Sequence, residues 1–243
     1  MNLLEINDLH IGYGKKALSS NISLTLQSGQ FVGLIGQNGV GKSTLIRTSC
    51  GLQEALSGSI LLQGRALSTY SKKEIAKMLS LVLTDKPESM QLTVIELIAL
   101  GRYPYSGWLG ILNQQDKLKI DEAISQMEIN YIANKKLFEL SDGQLQKAMI
   151  ARALAQDTEV IILDEPTSHL DLKNKIDVLA LLRKIADQGK SILISTHEVG
   201  LAAKYCDQFW CMDFQKALLS GTPANLIKEG KVQAYLHIAK NLL

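Results

Sequence analysis

The chain has 243 residues, 46% hydrophobic and 21% charged, enough to bury a large core, which excludes a disordered or low-complexity role. Its 26 lysines and arginines nearly balance 24 aspartates and glutamates, and a net charge of +2 gives no electrostatic footprint for nucleic acid or an anionic membrane. Cys50, Cys206 and Cys211 are odd in number and lack CxxC spacing, which reads as reduced, partly buried cytosolic thiols rather than disulfides or a zinc site.

In chain order, residues 1–30 carry short alternating segments such as Ile22-Ser23-Leu24-Thr25-Leu26, and so do residues 58–65, the period-two signature of half-buried antiparallel strands. Phe31 to Ile35 is instead an unbroken apolar run, predicted as a strand buried on both faces. It leads into Gly36-Gln37-Asn38-Gly39-Val40-Gly41-Lys42-Ser43-Thr44, a match to G-x-x-x-x-G-K-[ST], and then into Leu45-Ile46-Arg47. Strand, loop and helix in that order form the context a phosphate loop needs. The glycines let backbone N–H groups and the helix N-terminus surround a triphosphate, Lys42 bridges the β and γ oxygens, and Ser43 offers its hydroxyl to Mg²⁺.

Between about residues 90 and 155 the period changes. Ile120, Ala123, Ile124 and Met127 fall at i, i+3, i+4 and i+7, an amphipathic helix within a mostly helical insertion. Leu140-Ser141-Asp142-Gly143-Gln144 then opens a helix expected over Gln144 to Leu154, with Ser141 readable as an ordinary N-cap. A second apolar strand ends in acid, Val160-Ile161-Ile162-Leu163-Asp164-Glu165, which suits an Asp that holds Mg²⁺ or its water and a Glu that orients the attacking water. Ile192 to Ile194 predicts a third buried strand, followed by Ser195-Thr196-His197. Thr222-Pro223 reads as an N-cap with proline at the first helical position, and Val232, Tyr235, Leu236 and Ala239 mark a final packed helix. With no internal repeat and no Pro/Ser/Gly-rich linker, one unit is expected.

The phosphate loop, the LSGGQ-like Leu140-Ser141-Asp142-Gly143-Gln144, the acid-ended strand, Ser168-His169-Leu170-Asp171 and the late His197, in this order, resemble the ABC ATPase family. The resemblance implies an α/β fold: a phosphate-loop RecA-like core with an antiparallel β subdomain and an inserted α-helical subdomain. Residues 1–243 would form a single ATPase domain, with about 1–89 and 156–243 as β subdomain and core and about 90–155 as helical subdomain. It also implies a head-to-tail dimer of two copies, each ATP enclosed by the phosphate loop of one (Gly36 to Thr44) and by Ser141, Gly143 and Gln144 of the other. Glu165 resembles the family's general base, His197 its switch histidine, Asp171 its D-loop acid and Tyr13 the aromatic that stacks on adenine. ATP and Mg²⁺ are the implied cofactors, with Ser43 and Asp164 at the metal.

Two positions depart from the family pattern. Where a Q-loop glutamine is expected stands Thr84, in Leu81-Val82-Leu83-Thr84-Asp85-Lys86, so Asp85 becomes a candidate metal ligand in its place. The third signature position is Asp142 rather than glycine, a favourable charge in a helix's first turn, expected to point away from the triphosphate.

Thr93-Val94-Ile95-Glu96-Leu97 through Gly101-Arg102-Tyr103-Pro104-Tyr105 is similar to the TVxELVxxGRxP segment of importers for ferric siderophores, haem and cobalamin. The resemblance implies an integral membrane permease as partner, a substrate-binding protein indirectly, and a place on the cytoplasmic face of the inner membrane. Met1 to Asp8 lacks the basic start and apolar run of a secretion signal, and no stretch of about 18 apolar residues exists to span a bilayer. Tyr103, Tyr105, Trp108, Leu109 and Ile111 are the candidate partner-facing surface. The alternatives are an exporter's ATPase, a soluble ABC ATPase of repair or translation, and a phosphate-loop kinase. The missing coiled coil, the single ATPase unit, the GRYP-like segment and the absent acceptor site argue against them.

Overall fold

The alternating segments near the N-terminus pair as antiparallel strands. β1 (Asn2–Tyr13) lies between β2 (Lys16–Gln27) and β4 (Ser57–Leu62), and β5 (Arg65–Ala66) completes a four-stranded sheet in the order β2-β1-β4-β5. The molecule is described by a computed structural model covering residues 1–14, 16–85, 87, 89–107, 110–214 and 218–236; Lys86, Trp108, Leu109 and Ala239 lie outside the described residues.

Among the described residues the second sheet has six strands in the order β10-β9-β3-β8-β7-β6. Strands β3 (Phe31–Gly36), β6 (Leu79–Val82), β7 (Val160–Asp164), β8 (Ser191–Thr196) and β9 (Gln208–Met212) are parallel, and β10 (Leu219–Gly221) runs antiparallel at the edge. The apolar runs predicted as doubly buried strands are so: every residue of β3, β7 and β8 is buried. Alternation within them feeds two cores. Phe31, Ile35, Ile161, Leu163, Ile192 and Ile194 enter the core shared with the helical subdomain, whereas Val32, Leu34, Val160, Ile162 and Leu193 enter the core shared with the antiparallel sheet.

Register places the site. Ile35 lies opposite Thr196, and Asp164 opposite Ser195, so the carboxyl ends of β3, β8 and β7 finish at one edge of the sheet. Whatever follows Gly36, Asp164 and Thr196 is therefore gathered there by the backbone alone.

The helical segment holds α3 (Val94–Ala99), α4 (Gln114–Gln126) and α5 (Asp142–Ala155), packed on one another. The predicted stripe of Ile120, Ala123, Ile124 and Met127 is buried throughout, each large aliphatic side chain contributing about 1.5–3 kcal/mol. Arg102 and Asp116 form a buried pair at 2.9 Å, and Arg102 also donates to the Ala155 carbonyl at 2.7 Å, so the segment after α3 is tied to both α4 and α5. Tyr105 stacks on that guanidinium at 4.0 Å and so packs inward, while Tyr103 and Ile111 are 76% and 72% exposed.

The remaining helices are α1 (Lys42–Ser49), α2 (Lys72–Met78), α6 (Leu172–Asp187), α7 (Val199–Tyr205), α8 (Pro223–Lys228) and α9 (Lys231–Leu236). Thr222 caps α8 as expected, its hydroxyl accepting from Asn225 N, and Val232 of α9 is buried. No helix among the described residues is long and apolar enough to cross a membrane. The three cysteines are free and buried; burial raises their thiols, that of Cys211 up to about 12.

Candidate nucleotide site

Most helices here close their own first turn. Ser71, Thr93, Asn113, Ser141, Asp171 and Thr222 each place a side-chain oxygen on a first-turn N–H of α2, α3, α4, α5, α6 and α8. Helix α1 does not. Its N-cap is Gly41, at φ 109°, a conformation side chains resist, and no side chain caps the turn. The amides of Lys42, Ser43 and Thr44 are thereby left facing outward with the positive end of the helix dipole behind them. Before the loop, Gly36 is packed so closely that a Cβ would stand 2.8 Å from Val40 and 2.9 Å from the Met212 carbonyl.

A cavity of about 540 Å³ opens on this turn, lined by Tyr13, Asn38, Gly39, Gly41, Lys42, Ser43, Thr44, Thr84 and Glu165 among others. Its size fits a small-molecule ligand. Lys42 is 5% exposed and folded back, its Nζ donating to the carbonyls of Gly36 (2.9 Å) and Gln37 (3.2 Å) and standing 3.5 Å from Glu165 Oε1. Burial holds this ammonium below the usual lysine range, and the Glu165 and Asp164 carboxylates push back against that shift. Ser43 is exposed. Tyr13 is exposed and its hydroxyl lies 3.2 Å from Thr44 Oγ1, at the rim.

The end of β7 carries the acids. Asp164 is buried and accepts the Ser195 hydroxyl at 2.5 Å, while the same oxygen accepts from Glu165 N at 2.8 Å. That relay across β8 and β7 turns the chain sharply, and Glu165 sits at φ 50°, left-handed for a non-glycine residue and held by Ser168 Oγ donating to its carbonyl at 2.9 Å. The turn aims the Glu165 carboxylate at Lys42 on one side and at His197 on the other, whose Nδ1 is 3.8 Å from Glu165 Oε2.

Other expected residues are placed elsewhere. The Gln37 side chain turns out of the loop, and its amide donates to the Leu236 carbonyl of α9 at 2.8 Å. Thr84 lines the cavity and donates to the Asp164 carbonyl at 3.0 Å, whereas Asp85 borders a separate depression of about 40 Å³ beside Asp142 and His169. Ser141, Gly143, Gln144 and Asp171 do not line the nucleotide-sized cavity of their own chain.

Helix α5 begins at Asp142, two residues earlier than Gln144, because Ser141 and Gln144 form a reciprocal cap: Gln144 N donates to Ser141 Oγ and Ser141 N to Gln144 Oε1. Asp171 caps α6 and also accepts from the Asn174 amide at 3.0 Å, and that fixed amide abuts Gly143, where a Cβ would come within 2.8 Å. Asn174, Thr84 and Ser195 are the site residues that motif reading did not assign. Thr84 had a signal, its place where a Q-loop glutamine is expected, and so did Ser195, a serine ending an apolar run; Asn174 had none.

An uncapped helix behind a glycine loop, a buried lysine, and adjacent acids at the end of a neighbouring parallel strand define a phosphate-loop nucleoside triphosphatase. Residues 19–168 match the ABC transporter family, and the chain belongs to that family as an ATP-binding, ATP-hydrolysing subunit. The achromobactin transport ATP-binding protein CbrD of Dickeya dadantii is 36% identical over 241 residues, covering 98% of this chain and 89% of that one. The iron(3+)-hydroxamate import ATP-binding protein FhuC of Bacillus subtilis is 37% identical over 232 residues, covering 95% and 82%. Among solved structures, an inward-facing ABC transporter described as of metal-chelate type is matched with a TM-score of 0.85 at 25% identity, over 97% of this chain and 89% of that one.

Proposed function

We propose that this ATPase drives uptake of an iron chelate, a ferric siderophore or haem, or of cobalamin, through a separate membrane permease on whose cytoplasmic face it docks. A groove of about 350 Å³ carries this reading. Leu52, Ile75, Leu79, Leu81, Leu100 and Tyr103 line it, between α2 and the start of the helical segment. Leu100, Gly101, Tyr103 and Pro104, from the end of the TVxELVxxGRxP-like stretch, form part of its wall, and the exposed Leu100 and Tyr103 offer the apolar, aromatic surface an interface uses. The transport function in the name of CbrD and the import function in that of FhuC support the same direction. Purifying the tagged chain from gently solubilised native membranes tests it. A co-purifying permease for iron chelates or cobalamin is expected, and an exporter or a soluble nucleic-acid complex would contradict the reading.

For the chemistry, we assign Lys42 to the β and γ phosphates, Glu165 to the attacking water and His197 to the γ-phosphate. Lys42 must leave Glu165 to reach the nucleotide, which frees the carboxylate for water as the ammonium takes up phosphate. Among the described residues no three acidic, histidine or cysteine side chains converge as a metal cage. The exposed Ser43 hydroxyl and the Asp164 carboxylate at the end of β7 are donors of the kind that suits Mg²⁺, which takes few protein ligands and keeps phosphate oxygens and water. When bound, the ion neutralises charge developing on the phosphates. Thr84 at the cavity wall, rather than Asp85, stands where a water of that ion could be held. Tyr13 is assigned to the adenine. Ser141, Gly143 and Gln144 of a second, head-to-tail copy are assigned to the exposed side of the γ-phosphate, with Asp171 at the joint, because the cavity is open and these residues are remote from it within one chain.

A further inference from the structure

The turn after β8 carries a carboxylate for which the hydrolytic assignments have no use. Glu198 directly follows His197, and its Oε1 is paired with Lys175 Nζ of α6, the two side chains being 17% and 22% exposed. Its other oxygen, Oε2, is shielded from water and meets no donor among the described residues. A carboxylate so placed depends for its charge on one ammonium. Both ends of the pair are anchored. Glu198 N donates to Thr196 Oγ1 at 3.0 Å, and Lys175 N donates to the carbonyl of Asp171 at 3.0 Å, one helical turn back.

The pair therefore joins the turn after β8 to the first turn of α6, two segments distant in sequence. One presents His197, 3.8 Å from Glu165; the other begins at Asp171, the cap of α6. We infer that Lys175 and Glu198 are positioning residues for ATP hydrolysis, holding the His197 turn in register with the Asp171 turn. The inference rests on the roles proposed above for Glu165 and His197. Without the ammonium, a shielded carboxylate is left unpaired and must move to find water. The residue just before it is His197, which moves with it. Without the carboxylate's charge, Lys175 can reach solvent through its flexible stem, and the turn is loosened without being driven from its place.

A double-mutant cycle on the purified chain tests this, with kcat for ATP and the Kd of a fluorescent ATP analogue read in parallel. Lys175→Ala is expected to lower kcat about tenfold, ångström-scale misplacement of a reacting group costing up to about a hundredfold, while Kd stays within about twofold. Glu198→Gln should lose less, the Lys175→Ala/Glu198→Gln double variant should recover to the level of Glu198→Gln, and Lys175→Arg should turn over within about twofold of the parent. Unchanged kcat in Lys175→Ala, losses that simply add in the double variant, or loss of binding in step with kcat would each overturn the inference. Should Lys175→Ala fail to fold, Lys175→Arg and Glu198→Gln still decide it: a tenfold loss in the arginine variant, or no loss in the glutamine variant, contradicts the positioning role. Glu165→Gln and His197→Ala run alongside separate the two levels. If those keep full turnover, the assignment of the site has failed, and if they alone lose it, only the Lys175–Glu198 inference has.

Discussion

Helices α1 and α5 both begin at a motif assigned above to phosphate, yet they begin in opposite ways. Gly41 leaves the first turn of α1 open, whereas Ser141 and Gln144 close the first turn of α5 on each other. An open turn gains by binding an anion and has nothing to give up. A closed turn is stable alone, and on the proposed two-copy site Ser141 can keep its cap on Gln144 N while its own hydroxyl proton is offered to the partner's γ-phosphate. On that proposal nucleotide enters at the open turn of α1 first, and α5 of the second copy joins once a triphosphate is there to accept from it.

The largest effects are expected on the open side. Lys42→Ala should abolish tight ATP binding, measured by titration with a fluorescent analogue. Glu165→Gln should bind ATP normally and lose about 10²–10⁴-fold in turnover, the range for removing a positioned base. Gly41→Ala should lower stability by about 1–2 kcal/mol through its left-handed backbone.

On the closed side the effects are smaller and of a different kind. Gly143→Ala drives a Cβ against the Asn174 amide that Asp171 holds, so a cost of about 1–3 kcal/mol is expected. Removing the obstacle in Gly143→Ala/Asn174→Ala should return part of it, as thermal unfolding of both variants will show. Ser141→Ala loses the cap, about 1 kcal/mol, which for a chain this long lowers Tm by about 2–4 °C. Because Ser141 does not line the nucleotide cavity of its own chain, the same variant should not lose ATP affinity in the monomer. The smallest effect separates Thr84 from Asp85: Thr84→Val should lower turnover severalfold at limiting Mg²⁺, and Asp85→Ala should leave it near the parent value.

Much of this was legible in the sequence. The apolar runs at Phe31, Val160 and Ile192 announced doubly buried strands because burial on both faces removes alternation, and the phosphate loop followed from the G-x-x-x-x-G-K-[ST] spacing in its strand-loop-helix context. The Ser141 cap was legible because a helix start is local. What was not legible depends on pairs far apart in the chain. The Thr84 hydroxyl on the Asp164 carbonyl, the Gln37 amide on Leu236 and Asn174 against Gly143 each join separate elements. Nothing in the residue types foretells which loop meets which. The left-handed turn at Glu165 was hidden for the same reason, since it is enforced by Ser195 from the neighbouring strand.

On the proposed two-copy site the open turn of one copy and the closed turn of another share a nucleotide. The solution mass of Glu165→Gln, measured by light scattering with and without ATP, decides this. A monomer that doubles in mass when ATP is added and returns when ATP is removed is expected. A variant that binds ATP tightly and remains a monomer would contradict it.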